Sequence, residues 1–416
     1  MISKVRHRSP DDLVRNFHHY RPRSEHFTWS DLQGEARELA ARIRPGLSPP
    51  APRWRTAWRR MRGIRTLLGN HMANHRLARQ GREDLWPLYF IWSVHRTCNF
   101  RCQYCDDHRG HKHPDLPADR VLGTTESIRL LRIMRSRTPS VLMSGGEPTL
   151  REDLPQLTRA ARELDYYPII MNTNGSCLHR LLLDPRWRSW LADLDHVVVS
   201  LDSLDSAVLS DMWGSPRTEE VVRNILVLRE LALEHQFKLM ISTVIQPGAV
   251  SHGRDVLDFC NDLGLCFCPM PVNVGPSIDR SLFHDPDYSG LVELILERKR
   301  LGFPIAGSER LNRRMLTAAP LQCRNTLKPH IDYDGFLIWP CKGCVSVDPV
   351  RIDVLPFSNL ESLYEHAKGL IDPTGFQERC GAHCNWSQNY TTDAYAHGLM
   401  HPSSIVKEVA DFLRGR

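Results

Sequence analysis

The stretch "SVHRTCNFRCQYCDDHRG", residues 93–110, carries three cysteines within eight positions: Cys98, Cys102 and Cys105. It follows directly on the apolar run "LYFIWSV", which predicts a buried β-strand. Thiolates are soft ligands that select zinc, copper(I) or iron-sulfur clusters. Cysteines at intervals of four and then three therefore predict a metal centre immediately after a strand.

Further strand-like runs follow this one, and most are separated by helical stretches such as "TTESIRLLRIMR" and "TEEVVRNILVLRELALEH". The later runs are "PSVLMSG", "YYPIIMNTNG", "DHVVVSLDS", "FKLMISTVI" and "GLCFCPMPV". Six strands alternating with helices indicate parallel βαβ units, which form either a barrel or an open doubly wound sheet. We predict an α/β fold with a partial (β/α)6 TIM-like barrel. In either arrangement ligands bind at the C-terminal ends of the strands.

Two kinds of metal centre fit the triplet. Three cysteines in one loop can hold three irons of a 4Fe-4S cluster and leave the fourth iron open. A structural zinc site would need a fourth protein ligand. The candidates for that ligand are His95, His108, His111 and His113.

The second strand ends in "VLMSGGEPTL", which places Ser144, Gly145, Gly146, Glu147 and Pro148 at the same end of the barrel. Glycines at such a position allow the backbone to approach a small ligand closely, because no Cβ stands in the way. A glycine pair alone also fits an ordinary strand-to-helix turn. Because this glycine pair ends the strand that follows the cysteine triplet, it favours a ligand-binding site over an ordinary turn.

Together the two motifs resemble those of the radical S-adenosylmethionine (SAM) superfamily. The resemblance implies a 4Fe-4S cluster on the three cysteines, whose open iron chelates the amino and carboxylate groups of SAM. Reduction would then yield a 5'-deoxyadenosyl radical. It also implies that the segment from Ser144 to Pro148 contacts the methionine amino group and that Tyr104 lies near the adenine. Later strand ends would contact the ribose and carboxylate through Asn172, Asn174, Ser200 and Asp202.

Five cysteines near the C-terminus form a second group: Cys323, Cys341, Cys344, Cys380 and Cys384. The segment "HIDYDGFLIWPC" predicts a hairpin with an Asp334-Gly335 turn, which brings two of them together. A structural zinc site is one explanation. The pattern also resembles SPASM and twitch extensions, which implies an auxiliary 4Fe-4S cluster on Cys323, Cys341, Cys380 and Cys384. Cys344 would then replace one of the four or take no part.

The chain of 416 residues has no apolar run long enough to cross a membrane and no secretory signal at its start, so we expect a cytoplasmic protein with reduced thiols. Residues 1–85 hold 18 Lys+Arg against 8 Asp+Glu. Within them, residues 55–81 predict a helical stretch with an apolar stripe, formed by Trp58, Met61, Ile64, Leu67 and Leu68. We expect the stripe to pack on the barrel. The alternative is an anionic partner, such as a membrane surface or a phosphorylated substrate.

We therefore predict a basic helical extension over residues 1–85, a radical SAM barrel over residues 86–300 and a cysteine-rich domain over residues 301–416. The predicted activity is reductive cleavage of SAM and hydrogen abstraction from a small anionic metabolite or lipid. A peptide-modifying enzyme and a non-catalytic zinc and iron-sulfur scaffold are the alternatives. We expect an electron donor such as flavodoxin or ferredoxin and no nucleic-acid partner. The sequence assigns no catalytic side chain.

Overall fold

The computed structural model describes residues 29–105, 121–381 and 383–401. Its centre is a run of six strands that pair in parallel and in chain order. They are β1 Tyr89–His95, β2 Ser140–Gly145, β3 Ile169–Thr173, β4 His196–Ser200, β5 Lys238–Ile245 and β6 Cys266–Pro271. A doubly wound sheet reverses its strand order, whereas a barrel does not. The predicted α/β fold with a partial barrel is therefore confirmed.

Helices connect these strands and flank them at both ends of the chain. In chain order they are α1 Trp29–Ile43, α2 Arg53–Arg79, α3 Thr124–Arg135, α4 Leu154–Glu163, α5 Leu178–Leu183, α6 Trp190–Asp193, α7 Ser206–Trp213, α8 Thr218–His235, α9 Val250–Leu263, α10 Tyr288–Arg300, α11 Glu309–Leu316, α12 Leu360–Leu370, α13 Phe376–Gly381 and α14 Tyr390–Met400. None of these described helices is both long and apolar enough to span a bilayer.

The two faces of the barrel strands differ in burial, as strand β5 shows. Leu239, Ile241 and Ile245 are buried between the sheet and the helices. The alternate residues, Met240 and Ser242 among them, are only partly buried and face the concave side. Because side chains alternate along a strand, this period of two sets the outer core apart from the barrel interior.

Helix α1 packs against α8 on the outside of the barrel. Its buried residues are Leu32, Ala36, Ala40 and Ile43, which recur at intervals of four, four and three. This spacing places them on one face of a helix, so the amphipathic pattern of the sequence matches the packing.

Helix α2 exposes to solvent the face that we expected to be buried. Its buried positions are Gly63, Asn70 and Asn74, and its apolar stripe faces solvent, with Trp58 54% and Leu68 56% exposed. The prediction that the stripe packs on the barrel is wrong. The reason is that the inner face is fixed by polar contacts: the Asn70 side-chain amide donates to the Pro87 and Arg137 carbonyls at 3.0 and 2.7 Å.

The contacts of α2 also locate it at one end of the barrel. Pro87 precedes β1, Arg137 precedes β2, and Tyr167, whose backbone lies against Gly63, precedes β3. The helix therefore crosses the N-terminal ends of these strands. The cysteine triplet follows β1 and lies at the other end.

The C-terminal strands extend the barrel sheet. They are β9 His330–Ile331, β10 Phe336–Trp339 and β11 Val350–Asp353, after a small hairpin of β7 Asn273–Val274 and β8 Ser277–Ile278. Strand β9 pairs in parallel with β1 and antiparallel with β10. Gly335 occupies the predicted turn at φ 82°, a left-handed conformation that favours glycine. The division of the chain at residues 85 and 300 stays a prediction, and the sheet runs across the second boundary.

Candidate active site

The cysteine triplet lies beyond the C-terminal end of β1, and all three thiols are partly exposed. Burial raises the pKa of the Cys98 thiol to about 11, and the Glu147 carboxyl and the Cys105 thiol contribute to that rise. Burial also raises the pKa of Cys102, with further contributions from Asp202, Cys105 and Cys98. Three neighbouring thiols, two of them with raised pKa values, fit a site in which bound iron, not solvent, stabilises the thiolates.

The loop that carries the triplet is fixed to the end of helix α7. The Arg101 backbone N–H donates to the Trp213 carbonyl at 2.8 Å, and that of Gln103 to the Met212 carbonyl at 3.0 Å. Gly214 ends the helix at φ 58° directly beneath Arg101. Backbone bonds of this kind hold the cysteines in place without a bound group.

A buried carboxylate ties the same loop to the barrel wall. Asp202 is 2% exposed and accepts hydrogen bonds from the Tyr104 hydroxyl, from Trp213 Nε1 at 2.8 Å and from the Val244 backbone N–H at 2.7 Å. Both carboxylate oxygens are therefore engaged within the protein. The predicted contact of Asp202 with SAM stays a prediction, and its observed contacts serve to position Tyr104.

Replacing Asp202 with alanine should leave three buried donors without an acceptor. We expect the free energy of unfolding to fall by about 3–5 kcal/mol and the loop to release its iron more readily. Urea titration and iron counting after anaerobic reconstitution would measure both effects. As a control, Asp205→Ala removes only the cap of helix α7 and should cost about 1 kcal/mol with no loss of iron. Equal iron retention in the two variants would contradict the positioning role.

The glycine pair after β2 is required by the protein's own backbone. At Gly145, which has a φ of 141°, a Cβ atom would lie 2.2 Å from the His95 carbonyl oxygen. At Gly146 it would lie 2.2 Å from the Thr97 carbonyl oxygen. The Gly146 N–H also donates to the His95 carbonyl at 2.9 Å. The end of β2 therefore packs directly on the segment that leads into the cysteine loop.

We expect Gly146→Ala to shift this segment and lower the free energy of unfolding by about 1–3 kcal/mol, because the added methyl group overlaps backbone atoms. Weaker SAM binding should accompany the shift. Gly34→Ala in helix α1 is the control, since no atom lies within 4 Å of the position that its methyl group would take and alanine favours a helix. Isothermal titration with SAM and urea unfolding of both variants would test the prediction, and an unchanged SAM affinity in Gly146→Ala would contradict it.

Glu147 links the glycine pair to strand β3. Its side chain is 1% exposed and accepts from the Thr173 hydroxyl at 2.7 Å and from the Asn174 backbone N–H at 2.7 Å. The Asn174 side-chain amide in turn donates to Asn99 Oδ1 at 2.8 Å and lies 3.8 Å from Cys98 Sγ. These bonds connect the ends of β1, β2 and β3, and Asn174 adds a polar contact to the cluster loop.

The other predicted SAM contacts have different positions. Ser144, Asn172 and Ser200 are partly exposed strand residues on the concave side, whereas Pro148 is buried in a short turn of 3-10 helix. The structure therefore brings the triplet, the glycine pair and three polar side chains to one end of the barrel. Their contacts with SAM stay predictions.

Two further residues lie in the same row as Ser200 and were not predicted to belong to the site. Strand register aligns Ser200 with Ser242 of β5, and Ser242 with Cys268 of β6. Both side chains are partly exposed, as those of the other concave residues are. Counting every second residue along "FKLMISTVI" would have identified Ser242.

The second cysteine group lies around the C-terminal hairpin. Cys323, Cys341, Cys380 and Cys384 are buried, and Cys344 is partly exposed. Cys323 precedes β9, Cys341 follows β10, and Cys380 is in helix α13. The described residues contain no set of three or more His, Cys, Asp or Glu side chains that could hold one metal ion. In a cubane each thiolate binds a different iron, so the four sulfurs need not converge on one point.

A buried lysine next to these cysteines fits an anionic group. Lys328 is 1% exposed, and its Nζ donates to the Gln388 carbonyl at 3.0 Å and to Asn389 Oδ1 at 2.9 Å. It also lies 4.9 Å from the centre of the Trp386 ring. Burial lowers its pKa to about 8, while the thiols of Cys341, Cys323 and Cys384 raise it. No carboxylate of the described residues pairs with it, so a cluster held by thiolates would supply the missing negative charge.

Two of the five cysteines lie side by side. The Sγ atoms of Cys344 and Cys380 are 3.5 Å apart, and the hydrogen bond from the Cys344 thiol lowers the pKa of Cys380 to about 5. One thiol of this pair thus favours the thiolate form in the other. We interpret Cys344 and Cys380 as alternative ligands: either thiol, but only one at a time, would bind the same iron.

Comparison with known proteins identifies the superfamily. The family model described as the Radical SAM superfamily matches residues 92–260, which span the triplet, the glycine pair and strands β1 to β5. Residues 92–260 form a radical SAM domain. The protein is a radical SAM enzyme, and its cluster motif and partial barrel agree with the match.

Individual relatives have low sequence identity to this radical SAM enzyme. It is 26% identical over 288 residues to a "Probable GTP 3',8-cyclase" of Methanococcus aeolicus, a match that covers 65% of this chain and 90% of the relative. Streptococcus suis SuiB bound to S-adenosylmethionine shares the fold at a TM-score of 0.54 and 19% identity, with 74% and 75% of the two chains covered. A histidine-tagged anSMEcpe with bound AdoMet gives a TM-score of 0.51 and 16% identity, with 77% and 98% covered.

Proposed function

We propose that the protein cleaves SAM reductively and uses the resulting radical to remove a hydrogen atom from a peptide substrate. When bound, a 4Fe-4S cluster and SAM supply the 5'-deoxyadenosyl radical that such chemistry requires. The observation that carries the proposal is the convergence of three cysteines and a glycine pair on one end of a partial parallel barrel.

The protein's own residues would divide the work as follows. Cys98, Cys102 and Cys105 hold the cluster, and the backbone from Ser144 to Pro148 receives the methionine end of SAM. Asn172, Asn174 and Ser200 contact the remaining polar groups, and Tyr104, held by Asp202, lies at the adenine. A substrate bound over the barrel mouth would exclude water from the interior, which protects a carbon radical from side reactions.

The choice of a peptide rests on the charge of the barrel interior. Near the C-terminal ends of the described strands the concave side presents mostly uncharged residues: Ser93, Ser144, Asn172, Ser200, Ser242, Cys268 and Met270, while His95 ends β1 and Arg96 follows it. Recognition of a phosphorylated or carboxylated metabolite typically uses several arginine or lysine side chains, and these seven residues supply none. The arginines of helix α2, on which we based the expected small anionic metabolite or lipid, lie at the opposite end of the barrel. The peptide-modifying alternative therefore replaces that expectation.

We further propose an auxiliary 4Fe-4S cluster on Cys323, Cys341, Cys384 and one member of the Cys344–Cys380 pair. The support is the buried lysine without a carboxylate partner among the described residues and the burial of four of the five thiols. Lys328 would raise the reduction potential of such a cluster, because a nearby cation stabilises the reduced, more negative state. Flavodoxin or ferredoxin is the proposed source of electrons.

Anaerobic reconstitution with iron and sulfide tests the activity. We expect about eight irons per chain, from two four-iron clusters, and 5'-deoxyadenosine after addition of dithionite and SAM. Purification of a colourless zinc protein that produces no 5'-deoxyadenosine would instead support the non-catalytic scaffold.

A second assay tests the class of substrate. The rate of 5'-deoxyadenosine formation would be compared with a pool of random peptides, with GTP and without addition. Stimulation by the peptides, together with a mass change in some of them, is the expected result. Stimulation by GTP alone would overturn the peptide proposal and leave the cleavage of SAM intact.

A further inference from the structure

Helix α2 presents an outward face that combines apolar and cationic side chains. Trp54, Trp58, Met61, Leu68 and Met72 recur at intervals of four, three, seven and four, and each is between 54% and 67% exposed. With Ile64 and Leu67, this one helix supplies seven of the sixteen exposed large apolar side chains in the described part of the chain. A concentration of this kind on a monomer marks an interaction surface. We call these seven residues and the arginines between them the outer α2 face.

The orientation of the helix is fixed from the inside. Asn74 exchanges two hydrogen bonds with the backbone of Trp86, at 2.9 and 2.7 Å, and Asn70 bonds two carbonyls. A Cβ atom added at Gly63 would lie 3.1 Å from the Tyr167 carbonyl oxygen, so a larger residue fits poorly there. A rotation that buried the tryptophans would break all of these contacts. Within the described ranges, therefore, no residue covers the outer α2 face, and it stays exposed to a binding partner.

The charge of the helix indicates what that molecule is. Residues 53–79 contain eight arginines and no aspartate or glutamate. Only one of the outward arginines, Arg62, forms an ion pair with a described residue, Asp165, and Arg55, Arg60 and Arg65 form none within the described ranges. A second copy of this helix would bring arginines against arginines, which is unfavourable. An anionic surface is complementary to the helix.

We infer that the outer α2 face binds anionic phospholipid membranes. A helix with tryptophan and aliphatic residues interleaved with arginine is suited to lie in the plane of a bilayer interface. The face is convex and continuous along the helix, so it matches a flat bilayer better than a peptide, which needs a groove. This membrane contact is independent of the proposed function. It would place the N-terminal end of the barrel on the membrane and leave the cysteine loop directed toward the aqueous phase.

The test is flotation of the full-length reconstituted protein with lipid vesicles. Vesicles of phosphatidylcholine alone are compared with vesicles that also contain phosphatidylglycerol, at low and at high salt. We expect binding to the anionic vesicles only, with loss at high salt. The triple variant Arg55→Gln, Arg60→Gln, Arg65→Gln should bind about a hundredfold more weakly, from about fivefold per arginine.

Matched variants separate membrane binding from general effects of charge or folding. The control replaces Arg180, Arg186 and Arg300, which are exposed arginines on other elements, with glutamine, and it should bind as the parent does. Trp54→Ser with Trp58→Ser should also weaken binding, while 5'-deoxyadenosine formation stays at the parental rate. Equal flotation of the triple variant and the parent would overturn the inference. So would a dimer in light scattering that dissociates in the tryptophan variant without any vesicle binding.

Discussion

Alanine at Cys98, Cys102 or Cys105 is expected to lower the rate of 5'-deoxyadenosine formation to the background of the protein without its cluster. A four-iron cluster that keeps only two protein ligands is poorly held, and SAM has no open iron to bind without it. Each variant should lose about four irons per chain, the content of one cubane. Iron analysis and product detection after anaerobic reconstitution would measure the two losses.

The control for these variants is a cysteine in the same neighbourhood. Cys177 lies 3.9 Å from the Asn99 side-chain amide, close to the cluster loop, and we assign it no ligand role. Cys177→Ala should keep both its iron and its activity. Parental rates in any of the three triplet variants would show that the cluster lies elsewhere.

The second large effect is expected at the C-terminal cysteines. Alanine at Cys323, Cys341 or Cys384 should remove about four irons per chain and leave the uncoupled cleavage of SAM intact. The reason is that these thiols surround Lys328 and not the barrel interior. Iron content, visible absorption and 5'-deoxyadenosine would be measured on the same sample. Zinc in the anaerobically purified parent, with no spectral change in the variants, would contradict the auxiliary cluster.

The Cys344–Cys380 pair calls for a double variant. Because the two sulfurs are 3.5 Å apart, either thiol can reach a shared iron position with little movement. We expect Cys344→Ala to keep its iron, Cys380→Ala to lose only part of it, and the double variant to lose about four irons. If Cys344→Ala alone loses as much as Cys341→Ala, then Cys344 is the ligand and Cys380 is not.

The barrel could be predicted because its signals are local. Each of the six strands is a short apolar run, most of them after a helical stretch, and parallel pairing in chain order follows from that alternation. The cysteine triplet and the glycine pair were recognisable for a similar reason, since each motif lies directly after a strand. Asn172 and Ser200, by contrast, were assigned to the site only through the resemblance to the superfamily.

Other features could not be predicted from the sequence, because they depend on contacts between distant parts of the chain. The stripe on helix α2 is visible in the sequence, but the side that it faces is decided by Asn70 and Asn74 against the backbone around Pro87. Asp202 follows a strand, as a ligand-binding residue would, yet its partners Tyr104 and Trp213 come from two other segments. Lys328 has no sequence signal, because its environment forms only when the cysteines gather around it.

The pairing of β9 with β1 also has a consequence for how the chain is made. The Ile91 backbone N–H donates to the Pro329 carbonyl at 3.0 Å, so the first barrel strand is covered by a segment that is synthesised more than 200 residues later. At about 5–20 residues per second, the free edge of β1 would wait on the ribosome for on the order of tens of seconds. An uncovered strand edge is a template for aggregation. Chaperone protection of the nascent barrel would suit a protein built in this order.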